Sequence, residues 1–175
     1  MNDIIREKAK KIKLLAFDVD GVMTTGEVTY DQNGIEYKSF NVKDGHGLVR
    51  VQKAGFITAI ITARNNGTVQ HRAENLHITE LYQGQKYKLP ALEEIMKKYD
   101  LTYDQVSYMG DDLPDLCILE KVGLKCCPND AVDEVKSVCN FISSKDGGKG
   151  AVRELTDLIL EAQNIKKEYT VSEGK

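Results

Sequence analysis

The chain has 175 residues, with 24 Lys and Arg against 27 Asp and Glu and a net charge of -3. That length suits one domain with a sizeable core, and charges balanced along the chain exclude the basic excess of a general nucleic-acid binder. The longest apolar runs, such as FITAIITA, are strand-sized, and the N-terminal MNDIIREKAKKIK carries charges throughout. Neither a membrane span nor a secretory signal is therefore predicted, and the cytoplasm is the expected location.

Taken in order, the first dozen residues allow a short helix. Apolar strands are predicted at residues 13–17, 56–62, 80–83, 106–109, 124–127 and 141–143. Amphipathic helices are predicted at 47–54, 68–76, 89–99, 115–122, 131–138 and 151–162. In LPALEEIMKKY, Leu89, Leu92, Ile95 and Met96 recur on one helical face and Pro90 suits a first turn. Strand–helix alternation of this kind predicts an α/β fold: a doubly wound, mostly parallel sheet with helices on both faces. Residues 26–40, GEVTYDQNGIEYKSF, break the pattern and alternate around Asn33–Gly34, which predicts a protruding β-hairpin. Val28 and Tyr30 are expected on one face, opposed by Ile35 and Tyr37. A lone hairpin is marginal in water, so it is expected to pack on the domain or on a second subunit. KKEYTVSEGK, after about residue 165, reads as a polar tail, so residues 1–175 are expected to form a single domain.

The four cysteines, Cys117, Cys126, Cys127 and Cys139, form no C-x-x-C pair and are expected as buried, reduced thiols.

In a doubly wound sheet, ligands collect at the carboxyl ends of the strands. The first strand ends in Asp18–Val19–Asp20–Gly21, the second in Thr62 and then Arg64, the fourth in Asp111–Asp112 with Asp115 shortly after, and the helix after the third opens near Lys88. Clustered carboxylates repel one another and invite a hard cation, for which oxygen ligands favour Mg²⁺. The Lys, Thr and Arg are then natural partners of a phosphate. A carboxylate can attack phosphorus once its charge and that of the phosphate are neutralised, and a second acid two residues on can protonate the leaving oxygen and later activate water.

FDVDGVMTTG, IITAR, QGQKYKL and GDDLPD resemble the four motifs of the haloacid dehalogenase superfamily of phosphohydrolases, in its order. Together with FNVKDGHGL and GGKGAVRE they resemble a small branch without a large cap domain, whose members hydrolyse 3-deoxy-D-manno-octulosonate 8-phosphate through an aspartyl-phosphate during lipopolysaccharide precursor synthesis. The resemblance implies Asp18 as nucleophile and Mg²⁺ ligand, Asp20 as general acid/base with its carbonyl on the metal, Thr62 and Lys88 on the phosphoryl group, and Asp111 as a ligand that Asp112 supports directly or through water. Arg64 and Arg72 match positions near the substrate; Asp115 has the alternative role of a charge at a helix N-terminus.

Two positions depart from the pattern. Val22 replaces the common Thr after D-x-D-G, with Thr24 and Thr25 following, and His46 stands where an aromatic is expected. His46 and Lys43 are candidate substrate-facing groups, His46 otherwise being a surface residue on a loop. Lys149 and Arg153, in and after the Gly-rich 145–150 stretch, are further candidates for an anionic sugar, against the plainer reading of a flexible loop. The resemblance also implies a homotetramer whose neighbouring subunits close the active site. A nine-carbon nonulosonate 9-phosphate is the alternative substrate. A phosphoryl-receiver domain is disfavoured because D-x-D comes first and carries Asp20, and a non-catalytic domain fused to a nucleotidyltransferase because the acids are intact.

Overall fold

Four consecutive buried residues, Leu14–Phe17, form β1 near the centre of a six-stranded sheet. A strand covered on both faces reads as a continuous apolar run. Leu15 and Phe17 enter the core on one side, Leu14 and Ala16 the core on the other. The computed structural model describes residues 3–165, so the predicted polar tail lies outside the described residues.

The elements follow as α1 (Asp3–Lys11), β1, β2 (Thr29–Tyr30), β3 (Glu36–Tyr37), α2 (Val42–Lys53), β4 (Ile57–Ile61), α3 (Gly67–Asn75), β5 (Glu80–Tyr82), α4 (Lys88–Lys98), β6 (Val106–Met109), α5 (Leu116–Leu119), β7 (Leu124–Cys127), α6 (Asp133–Val138), β8 (Phe141–Ile142) and α7 (Ala151–Ala162). Short 3₁₀ turns occupy Tyr103–Gln105 and Leu113–Asp115. The sheet order is β5-β4-β1-β6-β7-β8, and every neighbouring pair is parallel. Helices α1, α2, α3 and α7 cover one face, and α4, α5 and α6 the other. The doubly wound architecture is as expected, with no large cap domain among the described residues. The chain works outward from β1 through β4 to β5, then resumes on β1's other side at β6, which puts a ligand crevice at the carboxyl end of β1.

Helix α2 begins at Val42, upstream of the predicted residue 47. Asn41 caps it, its side-chain oxygen accepting the Lys43 N–H at 2.8 Å. Gly45 and Gly47 suggest a helix break in the sequence, yet both are helical, and at each the space of a side chain is taken by a neighbour. A Cβ at Gly45 would lie 2.4 Å from an Arg72 guanidinium nitrogen, and one at Gly47 2.4 Å from Thr156 Oγ1. Lys43 and His46 therefore sit on a helix, not a loop. The helix predicted at 115–122 shrinks to a 3₁₀ turn capped by Asp112 followed by the short α5, and α6 starts at Asp133 rather than 131.

The hairpin is present, with Asp31 Oδ1 accepting the N–H groups of Asn33 and Ile35 at 2.8 Å and Gly34 at φ +79°. Its faces differ from the expectation. Tyr30 pairs with Glu36 and Thr29 with Tyr37. Directly opposed residues share a face, so Val28 and Tyr30 lie with Glu36, while Tyr37 lies on the other side. The type of turn decides this: an extra residue in the loop moves the register by one and flips the second strand.

The Gly-rich segment is tied down within its own chain rather than loose. Gly148 N donates to Val22 O at 2.9 Å, Asn41 Nδ2 donates to Gly148 O at 3.0 Å, and Gly147 N donates to Asp130 Oδ1 at 2.9 Å. A Cβ at Gly147 would fall 1.8 Å from the Gly21 carbonyl oxygen. The segment braces the turn that follows β1. Of the cysteines, all free, Cys126 and Cys127 are buried as expected and Cys139 is partly so, but Cys117 on α5 is exposed.

Candidate active site

The ends of β1, β4 and β6 and the start of α4 deliver the parts of the site, and the carboxyl edge of the sheet gathers them. Asp18 N donates to Met109 O at 3.0 Å, extending β1 by one residue and fixing the Asp18 side chain over the edge. Beyond it the chain turns sharply. Thr24 Oγ1 accepts the N–H groups of Gly21 and Gly26 at 3.4 and 3.3 Å and donates to Val19 O at 3.3 Å. Thr24 thus holds the turn that Val22, buried in the core, cannot. Gly21 has φ +84°, and a Cβ there would lie 2.0 Å from Asp111 Oδ2.

Asp18, Asp20, Thr62, Arg64, Lys88, Asp111, Asp112 and Asp115 line one cleft of about 280 Å³. Lys88, at the first residue of α4 and 2% exposed, places its ammonium 3.0 Å from Asp18 Oδ1 and 2.7 Å from Asp115 Oδ1. Burial works against its charge, but Asp18 and Asp115 outweigh burial and raise its pKa above the ordinary lysine value. Burial and the Asp115 charge push Asp18 up to about 6 in spite of Lys88. Burial, Asp115 and Asp18 push Asp111 up to about 8. Three carboxylates with one ammonium are short of positive charge.

Asp18, Asp111 and Asp115 offer oxygens within 4.8 Å of one another. Asp115 is saturated, however. Its Oδ1 takes Lys88 and the Tyr108 hydroxyl, and its Oδ2 takes the N–H groups of Asp111 and Asp112 at 2.9 and 3.3 Å. It orients its neighbours, a larger role than a charge at a helix end. Asp111 Oδ1, by contrast, is buried with no hydrogen-bond partner, a cost that a ligand has to offset. Asp18 and Asp111 fit a hard cation bound by oxygen. Asp112 caps the 3₁₀ turn through Leu113 N at 2.7 Å and is exposed, outside that cluster.

The remaining candidates separate. Arg64 is at the cleft, its Nη2 2.5 Å from Glu36 Oε2. Arg72 and His46 line a different cavity of about 300 Å³ between α2 and α3. Arg72 stacks on Phe40 at 5.5 Å and donates to Asn41 O at 3.2 Å, while its Nε is buried without a partner. Lys43 is exposed on α2. Lys149 pairs with Asp146 at 3.4 Å, and Arg153 Nε with Asp157 at 2.9 Å. Within one chain, neither Lys149 nor Arg153 lines the cleft.

Two residues were missed from the sequence. Lys38, just beyond β3, contacts Asp20 Oδ1 directly and lies 2.9 Å from Glu36 Oε1. The one available signal was a pair of charges two apart, Glu36 and Lys38, in the second arm of an otherwise partly apolar hairpin.

The model of the haloacid dehalogenase-like hydrolase family matches residues 50–155. The chain belongs to that family. Members similar to it include the 3-deoxy-D-manno-octulosonate 8-phosphate phosphatase of Escherichia coli K12, 42% identical over 89% of this chain and 83% of the relative. Among solved structures, the phosphatase of the same name from Moraxella catarrhalis, in complex with magnesium, phosphate and KDO, superposes with a TM-score of 0.91. It is 42% identical and the match covers 94% of both chains. A haloacid dehalogenase superfamily subfamily III A hydrolase from Legionella pneumophila is 47% identical, with a TM-score of 0.91 over 93% of this chain and 89% of the other. This haloacid dehalogenase-like hydrolase carries its D-x-D segment upstream of the matched region, at the end of β1.

Proposed function

We propose that this chain is a Mg²⁺-dependent phosphatase that hydrolyses 3-deoxy-D-manno-octulosonate 8-phosphate to the free sugar and phosphate, in lipopolysaccharide precursor synthesis. The carrying observation is the buried Asp18 carboxylate held by Lys88 beside Asp111 Oδ1, a buried oxygen with no partner. Asp18 and Asp111, with the Asp20 backbone carbonyl, would hold the metal, and Asp112 would support it. Mg²⁺ bound there would supply the positive charge that lets an anionic carboxylate meet an anionic phosphate.

The chain's own groups do the rest. An Asp18 oxygen attacks phosphorus, the bond from phosphorus to the sugar oxygen breaks, and the Asp20 carboxylic acid gives its proton to that oxygen. Thr62 and Lys88 hold the equatorial oxygens as charge builds. Water then attacks the aspartyl-phosphate, its proton passes to Asp20, and phosphate leaves with Asp18 restored.

Phosphate release from the octulosonate 8-phosphate and from a nonulosonate 9-phosphate, each with Mg²⁺ and with excess chelator, tests the reading. A large kcat/KM preference for the first, abolished by chelator, is expected. Preference for the second moves the pathway to nine-carbon sugars, and no Mg²⁺-dependent release from either refutes the proposal.

A homotetramer with intersubunit closure of the site accompanies this reading, in the cytoplasm. No helix among the described residues is long and apolar enough to cross a membrane. Val28, Tyr30, Ile35 and Tyr37 are all exposed on the hairpin, offering apolar surface on both of its faces. The cationic cavity of Arg72 and His46, and with it Lys43 and Lys149, then serves a neighbouring subunit's substrate rather than its own. Substituting Tyr30 and Tyr37 together by serine is expected to yield monomers in multi-angle light scattering. An unchanged mass removes the hairpin from the interface.

A further inference from the structure

The two acids of D-x-D each have a lysine of their own, from unrelated parts of the chain. Lys88 of α4 holds Asp18, and Lys38 of the hairpin holds Asp20. The Lys38 side chain is 1% exposed. Burying an ammonium is costly unless it is paired, and Lys38 is paired twice, with Asp20 and with Glu36. Glu36 reaches on to Arg64. A row of alternating charge, Asp20–Lys38–Glu36–Arg64, therefore connects two residues that line the cleft, Asp20 and Arg64, through the hairpin. It ties the base of the hairpin to the turns after β1 and β4. The Asp20 carboxylate is drawn toward the hairpin and does not join the cluster of Asp18, Asp111 and Asp115.

We propose that Lys38 is a positioning residue that keeps the Asp20 carboxylate off the metal and aimed at the leaving oxygen. The chemistry requires such a device. Asp20 is two residues from one metal ligand and on the lip of a site with spare affinity for oxygen. A carboxylate that joins the metal is a poor proton carrier, and Asp20 has to carry a proton in both half-reactions. Lys88 cannot serve both acids, because its ammonium already lies between Asp18 and Asp115. The hairpin is then part of the active site as well as an apolar surface.

This inference rests on the phosphatase reading, and the experiment separates the two. Wild type, Lys38→Met and Lys38→Arg are compared on the octulosonate 8-phosphate, whose sugar oxygen needs a proton to leave, and on 4-nitrophenyl phosphate, whose oxygen hardly does. For Lys38→Met, kcat on the sugar phosphate is expected to fall about 100-fold, the scale of a lost general acid, with KM changed less than about threefold. On the nitrophenyl ester, rapid mixing is expected to show a retained burst of nitrophenol of about one per site before slow turnover. Attack by Asp18 is then intact while activation of water is impaired. Lys38→Arg is expected to recover most of kcat. Should Lys38→Met fold poorly, Lys38→Gln is read in its place.

Unchanged kcat on the sugar phosphate overturns the inference, as does a raised KM with normal kcat, or loss of the burst together with turnover. A wild type inactive on both esters brings down the phosphatase reading and this inference with it. An active wild type matched by Lys38→Met brings down this inference alone.

Discussion

Asp18→Asn is expected to lower kcat by about 10⁴-fold or more, the scale seen when a nucleophile is removed, while the fold survives. Amide and carboxylate have nearly the same shape, so the cleft keeps its packing. What is lost is the attacking oxygen and one negative charge. The charge has its own signature. Burial and Asp115 raise Asp18 to about 6, against an ordinary value of 3.8. The native state therefore holds that proton at pH values where the unfolded chain has released it. Asp18's share of the stability of the metal-free wild type is lost as pH rises from about 4 to about 6 and does not return above that window, and Asp111, pushed up to about 8, extends the fall toward that pH. Asparagine at position 18 does not titrate, so the variant keeps only the part of this dependence that Asp111 supplies. Without metal, it is expected to melt higher than wild type at pH 8 and to show no such gain at pH 4. With saturating Mg²⁺ the order at pH 8 is expected to reverse, because the variant has lost a ligand. Substantial residual turnover, free of contaminating phosphatase, would sink the covalent mechanism. A variant less stable than metal-free wild type at pH 8 would sink the account of the charge.

Lys88→Met is expected to damage both fold and activity. Methionine fits the channel of the lysine stem but leaves Asp18 and Asp115 without their shared cation, and both carboxylates are buried. Removing one partner from a buried ion pair costs about 3–5 kcal/mol. In a chain of this size that lowers Tm by about 6–20 °C. Turnover is expected to disappear with it, since in the proposed mechanism the ammonium holds both the nucleophile and the phosphoryl oxygens in place. Lys88→Met combined with Asp115→Asn removes one of the stranded charges, so its loss of Tm is expected to be smaller than that of Lys88→Met alone. Equal or greater loss in the double variant would show that the lysine matters through packing rather than charge. Asp115 would then not be the orienting acid that its four hydrogen bonds suggest.

The sheet was legible because its strands are short and buried on both sides. Val106–Met109 and Leu124–Cys127 carry their own boundaries as changes in hydropathy, and Ala151–Ala162 carries its own as helical periodicity. Helix α2 was not legible at its start. Glycine disfavours helix locally, and the approach of Arg72 that calls for glycine at position 45 comes from a helix that follows β4. The hairpin was legible as a hairpin but not in its facing, since a single residue in the turn decides which side chains meet. That Asp18, Thr62, Lys88 and Asp111 meet at one cleft was legible because each residue stands at a strand end or helix start. The sheet brings such ends to one edge whatever the loops do.

The sequence by itself determined the doubly wound sheet, the order of its strands' terminal residues and the acid-rich chemistry at their tips. Periodicity and strand ends are local properties of the chain. Only the tertiary structure decided how the charges are shared. Asp115 proved to be the saturated orienting acid, Lys38 the partner of Asp20, the Gly-rich segment a brace under the β1 turn, and Arg72 and His46 members of a separate cavity. Those assignments rest on contacts between residues far apart in the chain, which packing selects and no local pattern encodes.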